Sequence, residues 1–367
     1  MKFTCTQENL NRGLNMVSHV ASKNVTLPIL NNILIKAQSG RIELMATNLE
    51  IGITCAIRGK IDEDGSYTIP ARLLHDYINL LPAENISIEL AESGIRVGST
   101  DSETLIKGAS AEEFPLIPQI EKKSSIRCSA KDLRLSLGQV VFAAATDEMR
   151  PEISGVFFTV KGNDMILAAT DSYRLAEKKM KCRNDNKEEI AIIVPLHTLH
   201  ELTRIISEDQ AEVEIFMGEN QILFVYDDIE FVSRLVEGQY PDYKQIIPKT
   251  SDIKADASVV ELTNAVKAAS LFCKPGINDV SLGFKVKDKH IEVMSSNNQS
   301  GENRSKVSAT LSGKDGSIVF NYRYLLDGLA ALNNENIILE ITTSTNPGSI
   351  KPAQDKDYVY IIMPIRQ

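Results

Sequence analysis

No run of about 18 apolar residues occurs in the chain, and its opening MKFTCTQENL lacks the apolar core of a signal peptide. Neither a membrane span nor secretion is expected, and a cytoplasmic location follows. Cysteine is sparse: Cys5, Cys55, Cys128, Cys182 and Cys273 stand far apart with no C-x-x-C. That spacing argues against a disulfide framework and a zinc site, leaving buried reduced thiols. Positive charge is in deficit, with 40 Lys and Arg against 49 Asp and Glu and a formal net charge of −9. Proteins that hold nucleic acid by bulk charge usually show a basic domain, so the total speaks against that mode of binding.

Catalytic signatures are missing as well. G-x-G-x-x-G, G-x-x-x-x-G-K and G-x-S-x-G are all absent, so neither a phosphate-cradling loop nor a nucleophile elbow is signalled. His197 and His200 in LHTLHELTR have helical i, i+3 spacing, but the second histidine of H-E-x-x-H is replaced by Arg204. No carboxylate pair sits in the apolar context that would raise a pKa for acid-base work. The expectation is a chain with no catalytic, metal or cofactor site.

A threefold repeat is present. IELMATNLEIGITCA (42–56) and ILAATDSYRLAEKKM (166–180) share an apolar run, Ala-Thr, an amide or acidic residue and a short alternating stretch. Thr47 and Thr170 stand 123 residues apart, and HIEVMSSNNQSG offers a third copy with Ser296 a further 126 on. A second landmark, an apolar strand end followed by an amphipathic segment, recurs with Pro70, Pro195 and Phe320 at the junction, each 125 apart.

Upstream of each hairpin lies another helix-like stretch, with apolar residues every three or four positions: Leu10, Leu14, Val17; Leu133, Leu137, Val140, Val141; Val260, Val266. Thr6, Ser129 and Asp256 are the expected N-caps. Between helices the chain alternates in strand fashion, with turns at Asp64-Gly65, Ser93-Gly94, Gly162-Asn163, Gly218-Glu219-Asn220 and Asp315-Gly316. Each third therefore reads as helix, strands, helix, strands. EEFPLIP (112–118) and QYPDYKQIIP (239–248) close the first two thirds, Pro115 and Pro241 being 126 apart. The expected fold class is α+β, in three copies spanning 1–121, 126–248 and 252–367, each with two helices packed on antiparallel sheets.

At 367 residues with 43% apolar content, two or three domains are expected on size alone. The six helical segments carry nine Lys and Arg against six Asp and Glu, so their surface is positive within an acidic chain. His19, His75, His197 and His200 lie on the same segments. Solubility explains such counts equally well unless the helices gather on one face. A repeat-built interaction scaffold and an enzyme are the alternatives, and no catalytic constellation favours the latter.

TLPILNNILI (26–35), ATDSYRLA (169–176), QYPDYKQIIP (239–248) and YIIMPIR (360–366), with the threefold period, together resemble the bacterial DNA polymerase III beta subunit, the sliding clamp family, from Met1 to Gln367. The resemblance implies a head-to-tail homodimer closed into a ring, whose twelve helices face a hole around duplex DNA. It implies a non-catalytic processivity factor of DNA replication, loaded by an ATP-driven clamp loader. Sequence-independent phosphate contacts would then come from Lys23, Arg72, Arg134, Arg150, His197, Arg204, Lys267 and Arg323, with Pro151 and Glu152 standing where tyrosines can occur beside the DNA. A ring holding DNA by topology needs only modest contacts, which reconciles it with the net charge.

The resemblance also implies a site where the replicative polymerase, the clamp loader and repair proteins dock short, partly apolar motifs. By matching position it comprises Ile153, Thr170, Ser172, Tyr173, Arg174, Leu175, Pro241, Gln245 and Ile246. Asn321, Tyr324, Pro347, Ile361, Met363, Pro364 and Ile365 complete it. Gln245 lacks the charge often found there, and Tyr173 replaces a histidine-like partner. Subunit closure would set Leu271 and Phe272 against Thr104 and Ile106.

Overall fold

A strand opens each third of the chain, ahead of the helix that the periodicity reveals. The structure, a computed structural model, describes residues 1–21, 26–147, 149–186, 188–207, 211–274, 276–332 and 335–366. In the first third, β1 (Lys2–Thr6) leads into α1 (Gln7–Val17). There follow β2 (Asn32–Gln38), β3 (Arg41–Thr47), β4 (Ile51–Ile57), β5 (Lys60–Glu63), β6 (Gly65–Pro70), α2 (Ala71–Leu80), β7 (Asn85–Ala91), β8 (Gly94–Gly98) and β9 (Glu103–Ile106).

The middle third has β10 (Ser125–Ser129), α3 (Ala130–Val140), β11 (Gly155–Lys161), β12 (Asp164–Thr170), β13 (Arg174–Lys181) and β14 (Arg183–Asn184). It continues with β15 (Ile190–Pro195), α4 (Leu196–Ile205), β16 (Glu212–Met217), β17 (Gln221–Tyr226) and β18 (Ile229–Arg234). The last third has β19 (Ile253–Ser258), α5 (Val259–Ser270), β20 (Asp279–Lys285), β21 (His290–Asn297), β22 (Gly301–Gly313) and β23 (Gly316–Asn321). It ends with α6 (Tyr322–Ala330), β24 (Asn336–Ile341), β25 (Gly348–Pro352) and β26 (Tyr358–Ile362). The repeat is thus strand, helix, strands, helix, strands, in an α+β fold of three sheet-rich parts. The leading strands are only five or six residues long, too short for alternation to stand out beside a helix.

Local chemistry explains the helix starts. Thr6 caps α1 by accepting the Asn9 amide at 3.3 Å, and Leu10, Leu14 and Val17 form its buried stripe. The third copy departs from expectation: Ser258, not Asp256, caps α5, accepting the Glu261 amide at 3.4 Å. Asp256 lies within β19, where its backbone is held in the sheet. Val260 is 65% exposed in the first turn, and Leu262, Ala265, Val266 and Ala269 make the buried face.

The repeated hairpin is β3–β4 and again β12–β13. In its turn the hydroxyl of Thr47 donates to the Ile51 carbonyl at 2.8 Å and accepts the Leu49 amide at 3.0 Å. Thr170 does the same with Arg174 (2.6 Å) and Ser172 (3.1 Å). Asn48 and Asp171 each cap two further amides, a side chain standing in for the backbone of the turn. Leu49 and Ser172 both take positive φ, 77° and 78°. The third copy at Ser296 lacks this and instead reaches Gly301 at φ 95°.

Two of the expected hairpin turns are corners. The strands flanking Asp64-Gly65 pair with β1 and β2, not with each other, and β23 pairs with β20 rather than β22. Asp315 accepts the Val286 amide at 2.9 Å instead of closing its own turn.

The chain forms two compact units, Met1–Lys131 with Arg183–Lys187 and His197–Leu235, and Asp132–Cys182 with Glu188–Leu196 and Val236–Gln367. The first holds a five-stranded sheet, β5-β1-β7-β8-β9, and a nine-stranded sheet, β14-β10-β16-β17-β18-β4-β3-β2-β6. The second holds twelve strands, β15-β11-β12-β13-β26-β25-β24-β19-β22-β21-β20-β23. Every pairing among named strands is antiparallel. Sheets cross the repeat boundaries: β18 pairs with β4, and β13 with β26. No described helix is long and apolar enough to cross a membrane.

Four cysteines are buried and Cys273 half-buried, and none forms a disulfide among the described residues. Burial pushes the Cys5 thiol up to about 12 and the Cys55 thiol to about 11, which suppresses the thiolate.

Candidate functional site

The expected docking residues all fall in the second unit, where the turn after β12 meets the end of β26 and the helix α6. Pairing of β13 with β26 sets Leu175 against Ile361. Leu175, Ile361 and Ile153 join one apolar cluster with Ala145, Ala168, Ile193, Tyr240, Tyr243 and Val359. The Met363 amide donates to the Tyr173 carbonyl at 2.8 Å, and the Ile365 amide to the Val319 carbonyl at 2.8 Å. Met363, Pro364 and Ile365 are therefore held against the β12–β13 turn and β23, each partly exposed. Gly348 pairs with Ile362, which brings the preceding Pro347 beside this segment.

Arg174 organises the surface. Its guanidinium donates to Asp171 at 2.9 Å and to Asp327 at 2.5 Å, and it lies 4.7 Å from the Tyr324 ring centroid. Burial opposes its charge, but the hydrogen bond to Asp327 and its charged surroundings outweigh it, and the pKa is raised. The side chain is only 12% exposed, so it braces the turn against α6. Tyr173, 63% exposed, stacks toward Tyr324 at 6.5 Å between centroids. Burial raises the Tyr324 hydroxyl pKa, which keeps it neutral. Asn321 spends its side chain capping α6 through the Arg323 amide.

Pro241, Gln245 and Ile246 lie on the segment after β18 and are exposed, with Gln245 bonded to Asp242 at 2.7 Å. Their neighbours fix that segment: Tyr240 stacks on Phe157 at 4.7 Å, and the Tyr243 hydroxyl donates to Glu177 at 2.7 Å. Sequence reasoning missed Asp327, Tyr240, Tyr243 and Phe142, whose ring centroid lies 5.6 Å from the Arg174 guanidinium. Only the two tyrosines carried a signal, as aromatics bracketing Pro241 within QYPDYKQIIP. The surface as a whole is apolar at its base and polar at its edge, which suits an extended partly apolar peptide.

The cations expected to face DNA divide by environment. Arg72 pairs with Asp76 on the same helix at 3.6 Å and is exposed. Arg204 is committed: it bonds Glu201 at 3.0 Å and donates to the Asn15 and Met16 carbonyls at 2.8 and 2.9 Å, closing the C-terminus of α1. Arg150 donates to the Ser172 hydroxyl at 2.7 Å and to Glu152 at 3.2 Å, so it borders the docking surface. Arg323 stands over Tyr322, and Lys267 and His197 are exposed on α5 and α4. Arg134 is half-buried on α3, and Lys23 lies outside the described residues. Desolvation and then the Arg204 charge lower the His19 pKa, which works against added positive charge there.

Thr104 and Ile106 sit on β9, the last strand of its sheet. Leu271, 77% exposed, and Phe272 follow α5. Residues 301–308 of β22 pair only with β21, while 309–313 pair with β19, leaving the first stretch with an open edge.

Three copies of one strand–helix–sheet repeat, with sheets running through the copy boundaries, define the clamp class of α+β proteins. Models of the DNA polymerase III beta subunit match this chain end to end: the N-terminal domain over residues 1–118, the central domain over 127–242 and the C-terminal domain over 244–366. The chain belongs to the DNA polymerase III beta subunit family. Beta sliding clamps of Staphylococcus aureus (strain N315) and Staphylococcus epidermidis (strain ATCC 12228) are 32% and 31% identical to it over 376 residues, covering 100% of this chain and 99% of each relative. The sliding clamp of Bacillus subtilis superposes with a TM-score of 0.95 at 30% identity, over 100% of this chain and 99% of the other. That of Pseudomonas aeruginosa bound to griselimycin gives 0.95 at 26% identity over 100% of both chains.

Proposed function

We propose that this chain is a DNA sliding clamp: a non-catalytic processivity factor that closes as a head-to-tail homodimeric ring around duplex DNA and tethers the replicative polymerase. The carrying observation is that three successive beta-subunit domains tile it from end to end. We read the domains as 1–121, 126–248 and 252–367. The open edges of β9 and of residues 301–308 of β22 support closure, since unpaired strand edges call for a partner strand. Thr104, Ile106, Leu271 and Phe272 would lie at that joint. Clients, the loader among them, would dock short motifs on the surface around Tyr173, Tyr324 and Met363. DNA contacts would be sequence-independent, with Lys267 and Arg323 held in no ion pair among the described residues, and the setting cytoplasmic.

The test is topological. The protein is loaded by its clamp loader onto nicked circular DNA, which is then linearised. Retention on the circle with loss after linearisation is the expected result. Salt-dependent loss equal in both forms would replace the ring by ordinary electrostatic binding, and no retention in either would favour a scaffold that never encircles DNA.

A further inference from the structure

A concavity of about 640 Å3 lies on the twelve-stranded sheet of the second unit, outside the docking residues described above. Its size is that of a site for a peptide segment or small ligand. Lys179, Lys244, Lys249, Lys254, Lys351 and Lys356 line it, against four carboxylates. A cationic cleft is unexpected in a chain of net charge −9.

Most of the carboxylates are already answered. Glu340 takes Lys351 at 2.6 Å and Lys254 at 3.9 Å, Glu177 takes the Tyr243 hydroxyl and Lys179, and Asp355 takes Lys178 at 2.5 Å. Lys244, Lys249 and Lys356 are exposed and form no ion pair among the described residues, leaving three free cations against Asp357. The repeat supplies an internal control. The corresponding cleft in the first unit, beside the linker Ile117–Ile120, has about 340 Å3 and two lysines facing two glutamates, one pair closed by Lys122 and Glu230 at 2.8 Å. Of these two clefts, only the one in the second unit carries a positive excess.

The lysine cleft adjoins the docking surface through the core beneath it. Val359 and Ile247 line it and also belong to, or pack on, the apolar cluster of Ile153, Leu175 and Ile361. Ile166 and Ile338 give it apolar walls, while its one aromatic, Tyr358, is buried and offers no face for stacking a base. That combination fits a polypeptide better than a nucleic acid.

We propose that this cleft extends the docking surface and receives an acidic stretch of the client chain flanking its apolar anchor. The proposal rests on the peptide-docking reading. Exposed charge pairs of this kind add modest affinity and are screened by salt.

The probe is a fluorescein-labelled peptide from the clamp-docking segment of the replicative polymerase, untailed or carrying four glutamates or four serines at either end, titrated with the full-length protein. At low salt a glutamate tail at one end should tighten binding by about fivefold over serine, an effect consistent with a few exposed pairs. The gain should vanish in Lys244→Glu/Lys249→Glu/Lys356→Glu, whose affinity for the untailed peptide and whose melting temperature stay unchanged. A gain under twofold at both ends, or one that survives in the triple variant, overturns the proposal. So does oligothymidylate binding at the same lysines without any tail effect. Failure of the untailed peptide to bind would bring down the docking reading itself and this proposal with it.

Discussion

At the scale of single residues, the same charge can serve quite different ends. Arg204 and Lys267 both read as cations on helices, yet Arg204 donates to two carbonyls at the end of α1 while Lys267 stands free in solvent. Arg204→Ala should therefore lower stability by about 1.5 to 3 kcal/mol, the range for hydrogen bonds to a charged group, whereas Lys267→Ala should leave the melting temperature in place. Parallel thermal melts of the two variants decide it; equal melting temperatures would return Arg204 to the DNA-facing set. The sequence could not show this, because the partners Asn15 and Met16 lie almost 190 residues away in the chain. Asp327 was hidden similarly, 153 residues from Arg174. Thr170 and Asp171, by contrast, were legible, since their partners lie within four residues.

At the scale of elements, turns written in side-chain chemistry could be read, and strand partners could not. Thr47 and Thr170 build the same turn from the same atoms, and the amphipathic helices sit where their spacing puts them. Asp64-Gly65 resembles a hairpin turn in composition, but the ladder each neighbouring strand joins is a long-range choice. The placement of α6 shows how fine that choice is. Gly328 faces the Tyr360 ring so closely that an added methyl would fall within it. Tyr360 in turn donates to the Tyr324 carbonyl at 2.9 Å. Gly328→Ala should push α6 off the sheet, destabilising by roughly 1 to 3 kcal/mol as overpacking does, and weaken docking by displacing Tyr324 and Asp327. Urea unfolding and peptide titration of the variant test both effects, and an unchanged peptide affinity would show that the docking surface does not depend on the seating of α6.

At the scale of the molecule, the threefold period and the sequence motifs pointed to the family, while the proposed joint between copies rests on the resemblance alone, because an interface between copies would leave no local pattern. Leu271 is exposed although large and apolar, which suits a residue awaiting a partner. Leu271→Ala combined with Phe272→Ala should give folded monomers at low micromolar concentration by sedimentation velocity, and a persisting dimer would move the joint elsewhere.

The strand ladders also bear on how such a chain could be built or divided. Strands β10, β14 and β16 to β18 are hydrogen-bonded into the sheet of the first repeat, and β11 to β13 with β15 into that of the last. The middle repeat is a unit of sequence pattern without being a unit of architecture. Excised at its sequence boundaries, it would expose the severed edges of β18 and β13 together, two ready templates for aggregation. The three parts share one pattern, and the ladders make the central one inseparable from its neighbours.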